Sequence, residues 1–77
     1  MPDYIPATPK QAKEICDIIK DIADKEKRPV LIGDIAKRYK GGSKEGRMVT
    51  SKLVKQGVVF TEYIGGKEHF HVNHRIA

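Results

Sequence analysis

The stretch Ser43-Lys44-Glu45-Gly46-Arg47-Met48-Val49-Thr50-Ser51-Lys52-Leu53-Val54-Lys55-Gln56-Gly57-Val58-Val59-Phe60-Thr61-Glu62-Tyr63-Ile64-Gly65-Gly66-Lys67-Glu68-His69-Phe70-His71-Val72 changes its hydrophobic period at Gly57. Before Gly57, Val49, Leu53 and Val54 recur at helical spacing, so the segment predicts a helix over Lys44–Gln56 with Ser43 as its cap. Gly57 suits the position after the last turn, where the backbone takes a positive φ. Beyond it, Val58 to Ile64 is β-branched and aromatic, as a strand prefers. Gly65-Gly66 is a hairpin turn pair, and Lys67 to Val72 is the returning strand. Phe70 and Val72 alternate with His69 and His71, which predicts one apolar and one polar face.

Upstream, residues 1–7 carry two prolines and no period, and read as an extended lead-in. Thr8-Pro9-Lys10-Gln11 reads as a helix start. Thr8 can cap, Pro9 suits the first turn, and Gln11 can reach back three residues. Ala12, Ile15, Cys16, Ile19, Ile22 and Ala23 then form one stripe, widened by Ile18, and this helix fades near Lys25–Arg28. Pro29-Val30-Leu31-Ile32 predicts one short strand, followed by a helix from Gly33 to about Lys40 that ends at Gly41-Gly42. The expected core is Ile15, Ile19, Ile22, Leu31, Ile35, Val49, Leu53, Val58 and Phe70.

The chain has 77 residues, and the reading treats 1–77 as a single domain. A chain this short buries about 60–65% of the surface its unfolded form exposes, so its core is thin. A deep pocket would remove that core, and the expectation is a protein that is not an enzyme. The single cysteine, Cys16, excludes an internal disulfide, and on an apolar stripe it reads as a small buried hydrophobe. No apolar run approaches the ~18 residues of a membrane span, and Met1-Pro2-Asp3-Tyr4 has no signal-peptide character. These points predict a soluble, cytoplasmic chain. The net charge of +5 is unevenly placed: residues 1–28 sum to zero, and the whole excess lies in residues 29–77. Such asymmetry suits a module that meets a polyanion with one side of its body.

The element order, carried by Pro29 through Tyr39 and by Ser43 through Val59, resembles a winged helix-turn-helix domain over roughly residues 10–73. The ending of the third helix, Leu53-Val54-Lys55-Gln56-Gly57 followed by Val58-Val59, is its most familiar feature. Thr50 and Gly46 depart from the pattern. Thr50 stands where such helices usually carry Leu, and Gly46 interrupts the helix at a cost of about 1 kcal/mol against Ala. The resemblance implies an α+β fold of three helices, a short strand and a C-terminal β-hairpin wing. It also implies a small transcriptional regulator that places helix 44–56 in the major groove of double-stranded DNA, in sequence-specific or architectural binding, with the 58–72 hairpin as wing.

On that reading Lys44 and Arg47, near the start of the third helix, reach base edges, because Arg can bond a guanine bidentately. Met48 and Ser51 share their face. Lys52 and Lys55 lie further along, toward phosphates. Lys67 at the wing tip and Arg75 after the last strand add backbone contacts. Each of these cations would also be at home as a simply solvated charge, and Glu45, Glu62 and Glu68 predict modest, salt-sensitive affinity. The wide stripe of the first helix makes it the candidate face for a homodimer.

His69 and His71, two apart on a strand with His74 beyond, form a His-x-His pair, but with no Cys nearby they read as a solvated strand face and no metal or cofactor is expected. Gly41-Gly42-Ser43-Lys44 lacks phosphate-loop spacing and reads as a turn and cap. The alternative function is a winged helix that binds protein or RNA. The run from the second helix through the wing is similar to a small-subunit ribosomal protein family, without its basic N-terminal tail. In length and element order the chain also resembles the D-subunit family that accompanies dissimilatory sulfite reductase.

Overall fold

The computed structural model describes residues 5–75, so the first four residues of the expected lead-in lie outside the described residues. Three helices precede an antiparallel hairpin in an α+β arrangement: α1 (Pro9–Glu26), α2 (Ile32–Arg38), α3 (Ser43–Gln56), β1 (Val59–Ile64) and β2 (Lys67–Val72). Thr8 and Gln11 cap α1 reciprocally: Gln11 N donates to Thr8 Oγ1 at 3.1 Å, and Thr8 N donates to Gln11 Oε1 at 2.9 Å. Lys27 closes the helix with φ 50°. Within the lead-in, Ala7 N donates to Gln56 Oε1 at 2.8 Å, which ties it to the end of α3.

The short strand expected at Pro29–Ile32 is absent, and α2 begins at Ile32 instead of Gly33. Asp34 is the cause. Its Oδ2 accepts from Leu31 N at 3.0 Å, which makes Leu31 the residue before the first helical turn. One ladder bond survives, from Phe70 N to Val30 O at 2.9 Å. Val30 therefore enters the core, and Leu31 is only half-buried. Val58 is a similar correction. Its N donates to Leu53 O at 3.0 Å, so Val58 belongs to the helix ending, and the strand starts at Val59. Val59 is the core residue, and Val58 packs at its margin. Gly42, with φ 104°, occupies the position before α3, and Ser43 is already helical.

The hairpin pairs Val59 with Val72, Thr61 with Phe70 and Tyr63 with Glu68 on one face; Phe60 with His71, Glu62 with His69 and Ile64 with Lys67 lie on the other. The turn is closed by Gly65 and Gly66 at φ 59° and 80°, as a tight two-residue loop requires. Asn73 pins the far end: its N donates to Val58 O at 2.9 Å and its Nδ2 to Gly57 O at 2.8 Å.

The core joins Ile15, Ile19 and Ile22 of α1, Ile35 and Tyr39 around α2, Val49 and Leu53 of α3, and Val59, Phe70 and Val72 of the hairpin. Ile18 is buried too, so the stripe of α1 is inside the chain from Ile15 to Ile22, while Ala12 is half-buried and Ala23 exposed at its ends. Of the two departures from the expected helix pattern, Gly46 is explained by the contact between α2 and α3, and Thr50 by a bond within α3. A Cβ on Gly46 would stand 2.9 Å from Tyr39 Cβ and 3.5 Å from Ala36 Cα. Thr50 is fully buried, and its hydroxyl donates to Gly46 O at 2.7 Å. A polar side chain in the core is thereby satisfied within its own helix.

A network of half-exposed charges holds α2 against the end of α1. Arg28 bonds Asp34 Oδ2 at 2.8 Å and Glu26 Oε1 at 2.8 Å, and Arg38 bonds Asp21 Oδ2 and Glu26 Oε2, each at 2.8 Å. Lys25 adds a contact to Asp21 at 3.0 Å. Arg28, with help from the Leu31 N–H, holds the Asp34 carboxyl below the usual carboxylate range. Lys25 and Arg38 do the same for Asp21.

This packing makes Gly46→Ala destabilising by about 1–3 kcal/mol, although Ala is the better helix former, because the methyl overpacks a contact backed by Tyr39 and Ala36. Urea unfolding checks it, and a stabilised variant would show that α2 and α3 can move apart freely. Asp34→Asn should cost ~0.5–1 kcal/mol at neutral pH. A carboxyl with a lowered folded pKa adds stability that is present above its unfolded value of about 3.9 and is lost as pH falls through the folded one. The gap between parent and variant should therefore close below about pH 4. A gap that persists undiminished to the acid limit of folding would remove the Arg28 pairing as its source.

Candidate nucleic-acid interface

Helix α3 turns Gly46, Val49, Thr50 and Leu53 inward. At 3.6 residues per turn the opposite side carries Lys44, Met48, Ser51 and Lys55 in one line, all exposed. Arg47 is exposed on one flank of this line and Lys52 is half-buried on the other. Lys52 already has an interaction partner. Lys44, Arg47 and Lys55 have no ion pair among the described residues.

The hairpin rises beside the Arg47 flank. Between them runs a groove of about 290 Å³ lined by Ile32, Arg47, Thr50, Ser51 and Val54 on the helical side and by Thr61, Glu68 and Phe70 on the hairpin. Thr61 and Glu68 belong to the core-facing side of the hairpin, so that side, continued outward, borders the exposed surface of α3. Lys67 is exposed at the start of β2, on the other face of the hairpin. The residues expected to act together are thus gathered in α3 and at the hairpin tip.

Arg75 is the exception. It lies in the turn after β2, where its N donates to Asn73 Oδ1 at 3.1 Å. It lines a different hollow, with Ile19, Lys20, Arg28 and His71, between α1 and the hairpin. Residues 73–75 lie on the α1 side, which separates Arg75 from the α3 line.

The histidines also differ from expectation. His69 is only 7% exposed, although its register places it on the outer face. β2 lies between β1 and the Val30 segment, and a residue in such a strand gains cover from both edges. His71 is half-buried, its ring stacked on Phe60 at 5.0 Å, with Nε2 3.3 Å from Glu62 Oε1. Among the described residues no three His, Cys, Asp or Glu side chains form a group that could hold a metal. Cys16 is buried, and burial pushes its thiol pKa up, which suits a packing role. No helix among the described residues is long and apolar enough to cross a membrane.

Sequence reasoning passed over Tyr63, whose side chain is 72% exposed. The clue was its parity. It alternates in phase with Val59 and Thr61, on the hairpin side that borders α3. Comparisons with protein-family profiles, with characterised proteins and with solved structures return no match to this chain.

Proposed function

We propose that the chain is a winged helix-turn-helix module that binds double-stranded DNA, acting as a small transcriptional regulator in the cytoplasm. The observation that carries this reading is the exposed line Lys44, Met48, Ser51 and Lys55 on α3, with Arg47 on its flank and a β-hairpin alongside. A helix that keeps one face in the core and presents unpaired cations on the other can lie in a major groove ~12 Å wide. Lys67 at the hairpin tip would then meet the backbone or the minor groove. Glu45 and Glu68 border the surface and temper its affinity. The reading does not call on a homodimer through α1, whose large apolar side chains Ile15, Ile18, Ile19 and Ile22 are already buried. Binding of a protein or an RNA is the second reading. It is favoured by Met48, a 53% exposed apolar side chain in the middle of the α3 line.

Two substitutions separate base contact from charge. Lys67→Ala should weaken binding about equally on all duplexes and lower the salt slope by about one unit. Arg47→Ala should cost ~1–3 kcal/mol on a selected site and much less on random DNA. Titrations of both variants on both duplexes, over a range of salt, check it. Identical behaviour of the two variants would leave Arg47 without a role in base readout. A parent protein that binds no duplex would shift the assignment to a protein or RNA partner.

A further inference from the structure

The described residues expose five large apolar side chains, Ile5, Met48, Phe60, Tyr63 and Ile64, and three of them lie in β1. Phe60 is accounted for by its stacking on His71. Tyr63 has no ring partner among the described residues. It sits opposite Glu68, two residues beyond Thr61 toward the tip and on the same side of the hairpin. Thr61 and Glu68 line the groove with Arg47 and Ser51. One further repeat of the strand carries Tyr63 about 7 Å past Thr61. The phenol therefore stands beyond the end of the groove, on the side where a nucleic acid held by α3 would run. Both turn glycines, Gly65 and Gly66, have open space where a Cβ would be, so the tip stands clear of its surroundings. The charge at the tip, Lys67, is positive and has no ion pair among the described residues.

We propose that Tyr63 is a base-stacking residue, and that the preferred ligand is DNA whose base stack is opened beside the α3 contact. This rests on the DNA-binding reading above. An aromatic ring is placed at little entropic cost, since it has two side-chain torsions. Stacking on one free base changes affinity by about fivefold or more. In an intact duplex the same ring must first separate a pair of stacked bases, and that cost offsets the gain. At a gap the stack is already broken, and the gain is kept. Arg47, which lines the groove with Thr61 and Glu68, and Lys67 at the tip have no ion pair among the described residues, and these charges suit a phosphate backbone more than an apolar protein surface.

The test compares one duplex, intact and with a short internal gap, by fluorescence anisotropy. The parent chain should bind the gapped form about fivefold tighter or more, and Tyr63→Phe should keep that ratio. Tyr63→Ala should bring the ratio close to one, and circular dichroism should show it still folded, because the side chain is mostly in solvent. The chain has no Trp, so Tyr63→Trp supplies a single emission signal that stacking on the gapped duplex should quench. A ratio near one in a parent that binds the intact duplex would overturn this inference and leave DNA binding standing. A ratio retained by Tyr63→Ala, or an unquenched Trp, would do the same. Failure of the parent to bind either DNA would overturn the DNA-binding reading and this inference with it.

Discussion

The close approach of α2 and α3 at Gly46 sets the position of everything that faces outward. With no side chain at this point, Tyr39 and Ala36 rest against the backbone of α3. One turn later Thr50 is fully buried, its hydroxyl satisfied by Gly46 O. Leu53 follows in the core, fully buried. Once these residues face in, the helical repeat leaves Lys44, Met48, Ser51 and Lys55 no direction but out. The end of α3 then sets the hairpin. Val58 bonds back to Leu53 O, Asn73 bonds to Gly57 and Val58, and β1 and β2 leave the helix at an angle those bonds define. A shift of α3 against α2 would move both halves of the proposed interface together.

Charge is sorted by the same packing. The sequence carries an excess of +5, but a count does not say which cations are available. Arg28 and Arg38 are engaged by Asp21, Glu26 and Asp34 where α1 meets α2. Each such half-exposed pair adds little stability alone. Together they neutralise the acidic end of α1 and engage both of its neighbouring arginines, whereas Lys44, Arg47, Lys55 and Lys67 are among the cations with no ion pair among the described residues. Lys10 and Lys20 of α1 and Lys37 of α2 have no ion pair among the described residues either, so what distinguishes α3 in the proposed reading is its exposed line beside the hairpin and not a monopoly of unpaired charge.

The hairpin shows why strand alternation is an incomplete guide. β2 is paired to β1 along one edge and bonded to Val30 on the other. Phe70 and Val72 face the core as alternation requires, yet His69 on the other face is buried as well. β1, with nothing paired to its outer edge among the described residues, keeps Phe60, Tyr63 and Ile64 in solvent. The more apolar strand, β1, is thus the more exposed of the two, because it lies at the edge and β2 lies inside the arrangement.

By itself the sequence determined what depends on near neighbours along the chain. The capping pair Thr8 and Gln11, the stripe from Ile15 to Ile22, the glycine stop at Gly57 and the Gly65-Gly66 turn are all local chemistry, and the structure carries each of them. The line of exposed residues on α3 was legible for the same reason, since helical periodicity names the outer face once the inner one is known. Tertiary structure decided the rest. Asp34 turned an expected strand into a helix start, and Val59 displaced Val58 from the core by one residue of register. Arg75 went to the α1 side, His69 went inside, and Arg28 and Arg38 joined carboxylates up to 17 positions away. Local pattern gives each residue a preference, but which side chains meet depends on how distant segments pack, and only the folded chain brings those segments together.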